Sequence, residues 1–134
     1  MFKKMLKNQK GLTLIELLVV VVILGIIAAI AVPSVGGLID NSRKDAHIGN
    51  AQQMISSARL AAAGESDFDS ITLDDLVEEN YIEPLESPWG GDYESGQVDK
   101  DGDDFRVSLS TGDDEYEITN ALSSDLSRDA LPIN

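Results

Sequence analysis

The most strongly hydrophobic segment of the chain lies near its start. Residues 17–32 have no polar side chain, and only Thr13 and Glu16 interrupt the apolar pattern of residues 12–32. As an α-helix, residues 12–32 would be about 32 Å long, close to the roughly 30 Å hydrocarbon thickness of a bilayer. A core helix in a small soluble domain would have a polar face, and this segment has none. The pattern therefore predicts a membrane-spanning helix.

After Pro33 the pattern becomes that of an amphipathic helix, predicted over residues 36–63. Apolar residues recur at spacings of three and four, which is the period of one helix face. These residues are Ile48, Ala51, Ile55, Ala58 and Ala62. Gly64 is the predicted helix end, and the stripe is predicted to pack against the rest of the chain. His47 is interpreted as an exposed or half-buried helix residue, because no second metal ligand is near it in the sequence.

Residues 64–134 have the pattern of a small, loop-rich head. Thr72 and Asp75 have the spacing of a capping box, which predicts a short helix to about Asn80. Alternating apolar and polar residues predict strands at 105–109 and 115–119, joined as a hairpin by a turn at 110–114.

A third strand is predicted near residues 93–98, and Trp89, the only tryptophan, is predicted to anchor the core. Residues 120–134 are predicted to be an irregular tail. The fold class is therefore α+β: a long N-terminal helix, membrane-spanning in its first half, packed on a small antiparallel β-sheet head.

Charge divides the chain into three environments. Residues 1–11 carry +4, residues 12–63 are neutral and residues 64–134 carry −18, which gives −14 overall. By the positive-inside rule, the lysines before the apolar run place the N-terminus in the cytoplasm and the acidic head outside. The acidic head argues against direct binding of nucleic acid.

The residue inventory also argues against an enzyme. The chain has no cysteine and one histidine, which excludes a thiol nucleophile and argues against a Ser-His-Asp triad. The sequence shows no nucleophile–base pair and no Gly-rich phosphate loop.

The length of the apolar run and the presence of Glu16 distinguish this segment from two simpler kinds of segment. A cleavable secretory signal has a shorter apolar region of about 7–15 residues. A plain single-span anchor leaves Glu16 unexplained, because a carboxylate in a spanning segment costs on the order of 2.5–3.5 kcal/mol and normally has a partner. The nearest upstream basic residue, Lys10, lies at the cytoplasmic edge, so a partner on another chain is the remaining candidate.

Residues 10–16, Lys-Gly-Leu-Thr-Leu-Ile-Glu, resemble the class III signal of type IV pilins and pseudopilins. The resemblance implies that a prepilin peptidase removes the leader, residues 1–11, by cutting between Gly11 and Leu12. It also implies N-methylation of Leu12, which replaces the commoner Phe. Residues 12–35 would then form the membrane-spanning and filament-core helix, and residues 64–134 the acidic globular head with its β-hairpin.

The resemblance also implies assembly roles for three residues of the apolar helix. In the family, the carboxylate equivalent to Glu16 faces the N-terminal amine of a neighbouring subunit, and the alternative is a role in peptidase recognition alone. The helix between Gly25 and Pro33 would be intact in the monomer and partly unwound in a filament. The alternative is that both residues are tolerated irregularities of a membrane helix.

One acidic segment is a candidate Ca²⁺ site. Alternating carboxylates in a Gly-containing loop suit Ca²⁺, which takes six to eight oxygen ligands. The residues are Asp99, Asp101, Asp103 and Asp104. An EF-hand does not fit, because Asp104 stands where that loop needs Gly. Major pseudopilins bind calcium in this region, and residues 75–82 and 87–93 resemble theirs, although Ser87 stands where they usually have Asp. A solvated acidic turn is the alternative, and no other cofactor is predicted.

The resemblance implies a structural subunit of a type IV pilus-like filament, built by self-association after leader cleavage. The alternative function is a pseudopilin of a type II secretion or competence system for DNA uptake. Either function implies a prepilin peptidase, an inner-membrane assembly platform and a cytoplasmic ATPase as partners. The precursor would lie in the cytoplasmic membrane with its head outside, and the mature chain would form an extracellular filament.

Overall fold

The computed structural model describes residues 9–134, with side chains described from residue 13 onward. Most of the predicted leader, residues 1–8, lies outside the described residues, as does the side chain of Leu12. Helix α1 is a single 55-residue element, Gln9–Ala63, that ends directly before Gly64. The predicted long N-terminal helix is therefore confirmed. Internal contacts divide the chain into two units, with the boundary between Ile39 and Asp40.

In the first unit, α1 is helical through Gly25 and Pro33. Pro33 has no backbone N–H, so the carbonyl of Ala29 loses its usual i+4 donor. One residue later, the Ser34 hydroxyl donates to the carbonyl of Ile30 at 3.2 Å. An intact helix in the isolated chain agrees with the sequence analysis, and unwinding in a filament stays a prediction.

The second unit contains the end of α1 and an antiparallel sheet of four strands, in the spatial order β1-β2-β3-β4. The strands are β1, Ser70–Thr72; β2, Ser95–Asp101; β3, Asp104–Ser110; and β4, Ile118–Leu122. A short helix, α2, Leu73–Glu78, lies between β1 and β2. The predicted α+β class and small antiparallel sheet are confirmed.

Helix α2 begins as predicted and ends early. The Thr72 hydroxyl accepts a hydrogen bond from the amide of Asp75 at 3.2 Å, which caps the first turn. The helix ends at Glu78 rather than near Asn80. Asn80 has a φ of 63°, the left-handed conformation that ends helices.

Strands β3 and β4 pair antiparallel, so the predicted hairpin is confirmed in its first strand and in its pairing, although β4 begins only at Ile118. Strands β2 and β3 form a second, tighter hairpin, with Gly102 at φ 65° in its turn. The predicted strand at 115–119 is wrong over its first half, because Asp114–Tyr116 forms a 3₁₀ turn. The Asp113 carboxylate accepts from the amide of Glu115 at 2.9 Å and stabilises that turn.

Two further elements differ from the sequence analysis. Strand β4 extends to Leu122, inside the segment predicted to be irregular. Strand β1 was absent from the prediction, because three residues are too few to show a period of two. Ile133, near the C-terminus, pairs in parallel with Ile118 of β4 and so covers part of that edge of the sheet.

The core of the head lies between one face of α1 and the sheet. Four residues of the predicted stripe are buried and Ala62 is half-buried, as the spacing indicated. The largest fully buried side chains that join them are Met54, Leu76, Val98, Val107, Leu109 and Ile118. The prediction that Trp89 anchors this core is wrong. Trp89 is half-buried in a loop, where its ring stacks on Tyr116 with centroids 3.9 Å apart.

Candidate functional site

The first half of α1 has an apolar surface that no other described residue covers. Seventeen large apolar side chains between Leu14 and Ile39 are each 45–70% exposed. The most hydrophobic 18-residue window has a mean hydropathy of 3.1, and none of it is buried within the described residues. An α-helix that is apolar on every side needs a membrane or other apolar helices around it. The length and composition of this surface support membrane anchoring.

Glu16 lies within this helix, one residue before the uninterrupted apolar run, and its side chain is exposed. Among the residues with described side chains, Glu16 makes no ion pair. The first basic residue after it is Arg43. The adjacent processing site, Gly11 and Leu12, lies in the part of α1 whose side chains are outside the described residues. Its cleavage and methylation stay predictions.

The second half of α1 has an exposed stripe that was not predicted from the sequence. Six exposed, uncharged residues recur at spacings of 4, 3, 4, 3 and 4 on the side of the helix away from the buried stripe. They are Ser42, Ala46, Gly49, Gln53, Ser56 and Leu60, which we call the uncharged stripe. Leu60 is 66% exposed. A helix face that is exposed only to water usually carries charged residues. The absence of charged residues at these six positions was the sequence signal that could have identified the stripe.

The four acidic residues predicted to hold Ca²⁺ lie along the β2–β3 hairpin. The Asp101 carboxylate accepts from Arg106 Nε at 3.0 Å, and the Asp99 carboxylate accepts from the side-chain amide of Gln97 at 2.6 Å. Asp104 pairs with Asp101 across the strands, and Asp103 is in the exposed turn. Within the described part of the chain, no group of three or more His, Asp or Glu side chains is placed to hold a metal ion. Calcium binding here stays a prediction.

His47 is fully buried, so its interpretation as an exposed or half-buried helix residue is wrong. Its Nε2 lies 2.7 Å from the carbonyl oxygen of Tyr116, and its Nδ1 lies 3.0 Å from the hydroxyl of Tyr93. The expectation rested on the absence of a second metal ligand near His47 in the sequence. Both partners are distant in sequence, so only the fold could identify them.

The contacts of His47 continue into a small polar and aromatic cluster. The side-chain amide of Asn50 donates to the Tyr93 hydroxyl at 2.9 Å and to the carbonyl of Glu86 at 3.3 Å. Trp89 meets the His47 ring edge-on, with centroids 5.4 Å apart. Burial lowers the pKa of His47 from its ordinary 6.5, against the opposing effect of the hydrogen bond to Tyr116. Burial likewise raises the pKa of Tyr93, so its hydroxyl keeps its proton.

Comparison with known proteins agrees with the features of the N-terminal helix. The family model described as the prokaryotic N-terminal methylation motif matches residues 6–32. The type II secretion system core protein G of Klebsiella michiganensis is 28% identical over 115 aligned residues, which cover 69% of this chain and 81% of that relative. No solved structure matches the chain. The alignment with the secretion protein extends well beyond the motif and therefore includes part of the head.

Proposed function

We propose that this chain is a pseudopilin of the type IV pilin-like family, a structural subunit of a type II secretion filament. The observation that carries the proposal is the exposed apolar half of α1, which overlaps the matched methylation motif. The similarity to a secretion core protein favours a pseudopilus over a surface pilus.

The first step in this function is removal of the leader, residues 1–11. Cleavage between Gly11 and Leu12 creates a positively charged amine next to the apolar helix, and methylation keeps that charge. Glu16 of a neighbouring copy then supplies the opposite charge. Two charges that are costly alone in hydrocarbon compensate each other when they meet, which sets the axial register of the subunits.

The second step is the exchange of lipid for protein around α1. The large apolar side chains between Leu14 and Ile39 are exposed to lipid before assembly. They pack against the same segment of other copies in the filament. The uncharged stripe on the second half of α1 lets the apolar helix of a further copy lie along it without burying a charge, which would be costly.

The acidic heads form the outer surface of the filament in this proposal. Residues 64–134 carry −18, so close heads repel one another and remain solvated. The role of the chain is structural rather than enzymatic. Its partners are further copies of itself, the prepilin peptidase, the membrane assembly platform and the ATPase that drives assembly.

The test is deletion of the gene in the native host, followed by complementation with the wild-type chain. We expect the deletion strain to retain a secreted protein inside the cell envelope, and the wild-type chain to restore its export. Mass spectrometry of the complemented strain should find a mature chain that begins at methylated Leu12. An uncut chain that begins at Met1 would contradict the proposal. Unchanged export, with loss of long surface filaments seen by electron microscopy, would replace it with a surface pilus.

A further inference from the structure

His47 joins α1 to two separate loops of the head. One loop, residues 84–93, contributes the Tyr93 hydroxyl and is also held by Asn50 through the carbonyl of Glu86. The other, residues 111–117, contributes the carbonyl of Tyr116. Trp89 of the first loop stacks on Tyr116 of the second, with the ring planes 17° apart. The two loops therefore contact each other as well as His47.

The hydrogen bonds assign one protonation state to the His47 ring. A carbonyl oxygen only accepts hydrogen bonds, so Nε2 carries a proton and donates it to Tyr116. Tyr93 accepts from Asn50, so its own hydroxyl proton is available for Nδ1, which accepts it. Every donor then has an acceptor, and the ring is neutral with its proton on Nε2.

A second proton on the ring would break this arrangement. Protonated Nδ1 becomes a donor toward the Tyr93 oxygen, and the Tyr93 hydroxyl proton loses Nδ1 as its acceptor. A buried donor without a partner is costly, and so is a buried charge.

The charged groups near this cluster do not offset a charge on the ring. Asp40 and Lys44 on α1 pair with each other at 3.3 Å. Asp113 and Glu115, on the 111–117 loop, act electrostatically on Tyr116. From the 84–93 loop, Glu86 contributes its backbone carbonyl, to Asn50. Within the described residues, no carboxylate makes a hydrogen bond or an ion pair with the ring.

We propose that His47 is an acid-sensitive clamp: in its neutral form it holds loops 84–93 and 111–117 on α1, and protonation releases both loops together. The inference concerns the folded head and holds whether or not the chain forms a secretion filament.

The direction of the pH effect follows from the protonation states. Burial lowers the pKa of His47 in the folded head below its ordinary 6.5. Above pH 6.5 the ring is neutral in the folded and unfolded chain, and the clamp contributes fully. As the pH falls below 6.5, the unfolded chain takes up a proton that the folded head resists, so stability is lost progressively toward the folded pKa.

The chain provides its own probe of this clamp, because it has one tryptophan and one histidine and the two rings are in contact. We would follow Trp89 fluorescence of the full chain in detergent micelles from pH 8 to pH 4, with hydrogen exchange of the two loops. We expect constant fluorescence down to pH 6.5. Below that, a reversible change should coincide with loss of protection in both loops.

Two variants separate the clamp from general acid unfolding. His47→Gln offers an amide donor and an acceptor but no titration, and should move the transition down by about one pH unit or more. Tyr93→Phe removes the donor to Nδ1, and should move the transition up toward pH 6.5. An unchanged transition pH in a folded His47→Gln protein would overturn the proposal.

Two results on the wild-type chain would also overturn the proposed role of His47. Neither result requires that a variant fold correctly. One is a fluorescence change centred at or above pH 6.5 while both loops remain protected. The other is a nitrogen NMR spectrum of the single histidine at pH 7 with a proton on Nδ1. A spectrum with the proton on Nε2 alone would support the assigned state.

Discussion

Arg128 Nη1 lies 3.1 Å from the Asp45 carboxylate, which joins the C-terminal segment to α1 across 83 positions of sequence. The same segment is held at its far end by backbone pairing. The amide of Ile133 donates to the carbonyl of Glu117 at 2.8 Å, and the amide of Thr119 donates to the carbonyl of Ile133 at 2.7 Å. The segment is thus attached to the helix by an exposed ion pair and to the sheet by two backbone hydrogen bonds.

Removing the ion pair should have a small effect that depends on salt. The Arg128 and Asp45 side chains are 42% and 59% exposed, and exposed pairs contribute about 0–1 kcal/mol. We expect Arg128→Ala to lower the free energy of unfolding by no more than about 1 kcal/mol at low salt. The difference should nearly vanish at about 1 M salt, where charges are screened within roughly 3 Å. Denaturant unfolding of the detergent-solubilised chain at both salt concentrations is the measurement. A loss that persists at high salt would show that Arg128 acts through packing instead.

Gly96 should be intolerant of any side chain. A Cβ at this position would lie 2.9 Å from Leu73 Cβ, 3.0 Å from Met54 Cε and 3.2 Å from Leu109 Cδ1. Because these atoms belong to the core, Gly96→Ala should destabilise the head by about 1–3 kcal/mol. The matched control is Gly49→Ala in α1, where nothing lies within 4 Å. It should stabilise the helix by up to about 1 kcal/mol. Thermal unfolding of both variants would test the pair, and equal melting temperatures would contradict the packing at Gly96.

The sequence was most informative where one period runs over many residues. The apolar run and the stripe from Ile48 to Ala62 each span several helical turns, so the length of α1 and its buried face followed directly. Strand β1 has three residues, and the start of β4 depends on a turn capped by Asp113. In such short elements, a single side-chain hydrogen bond outweighs intrinsic strand preference.

The two wrong expectations about single residues have a common physical cause. His47 was interpreted from its neighbours in sequence and Trp89 from being the only tryptophan. The environment of His47 is set by Tyr93 and Tyr116, and Trp89 stacks on Tyr116. These partners are 46 and 69 positions from His47. Contacts between residues this far apart in sequence leave no periodic pattern from which they could be predicted. The processing motif was recognisable because all of its residues are adjacent in the chain.

Replacement of Glu16 should impair assembly without impairing processing. If its carboxylate pairs with the amine of a neighbouring copy, then Glu16→Ala leaves that amine uncompensated in an apolar environment. We expect a normally cut chain with at least about tenfold less incorporation into filaments, which corresponds to roughly 1.4 kcal/mol or more per contact. Glu16→Asp keeps the charge and should be less impaired. The measurement is the ratio of filament-bound to membrane-bound mature chain. Normal incorporation of Glu16→Ala, expressed without wild-type chain, would reduce Glu16 to a role in peptidase recognition.

The uncharged stripe gives a test of assembly that leaves both the processing site and the head core intact. Ser56 and Gln52 are both exposed on α1, one turn apart, and only Ser56 is on the stripe. Ser56→Glu would bury a charge if the apolar helix of another copy lies along the stripe, whereas Gln52→Glu would remain solvated. We expect both variants to fold and to be processed alike, and Ser56→Glu alone to lose incorporation, by about tenfold or more. Circular dichroism and thermal unfolding in detergent are the controls for folding. Equal incorporation of the two variants would mean that the stripe faces water in the filament.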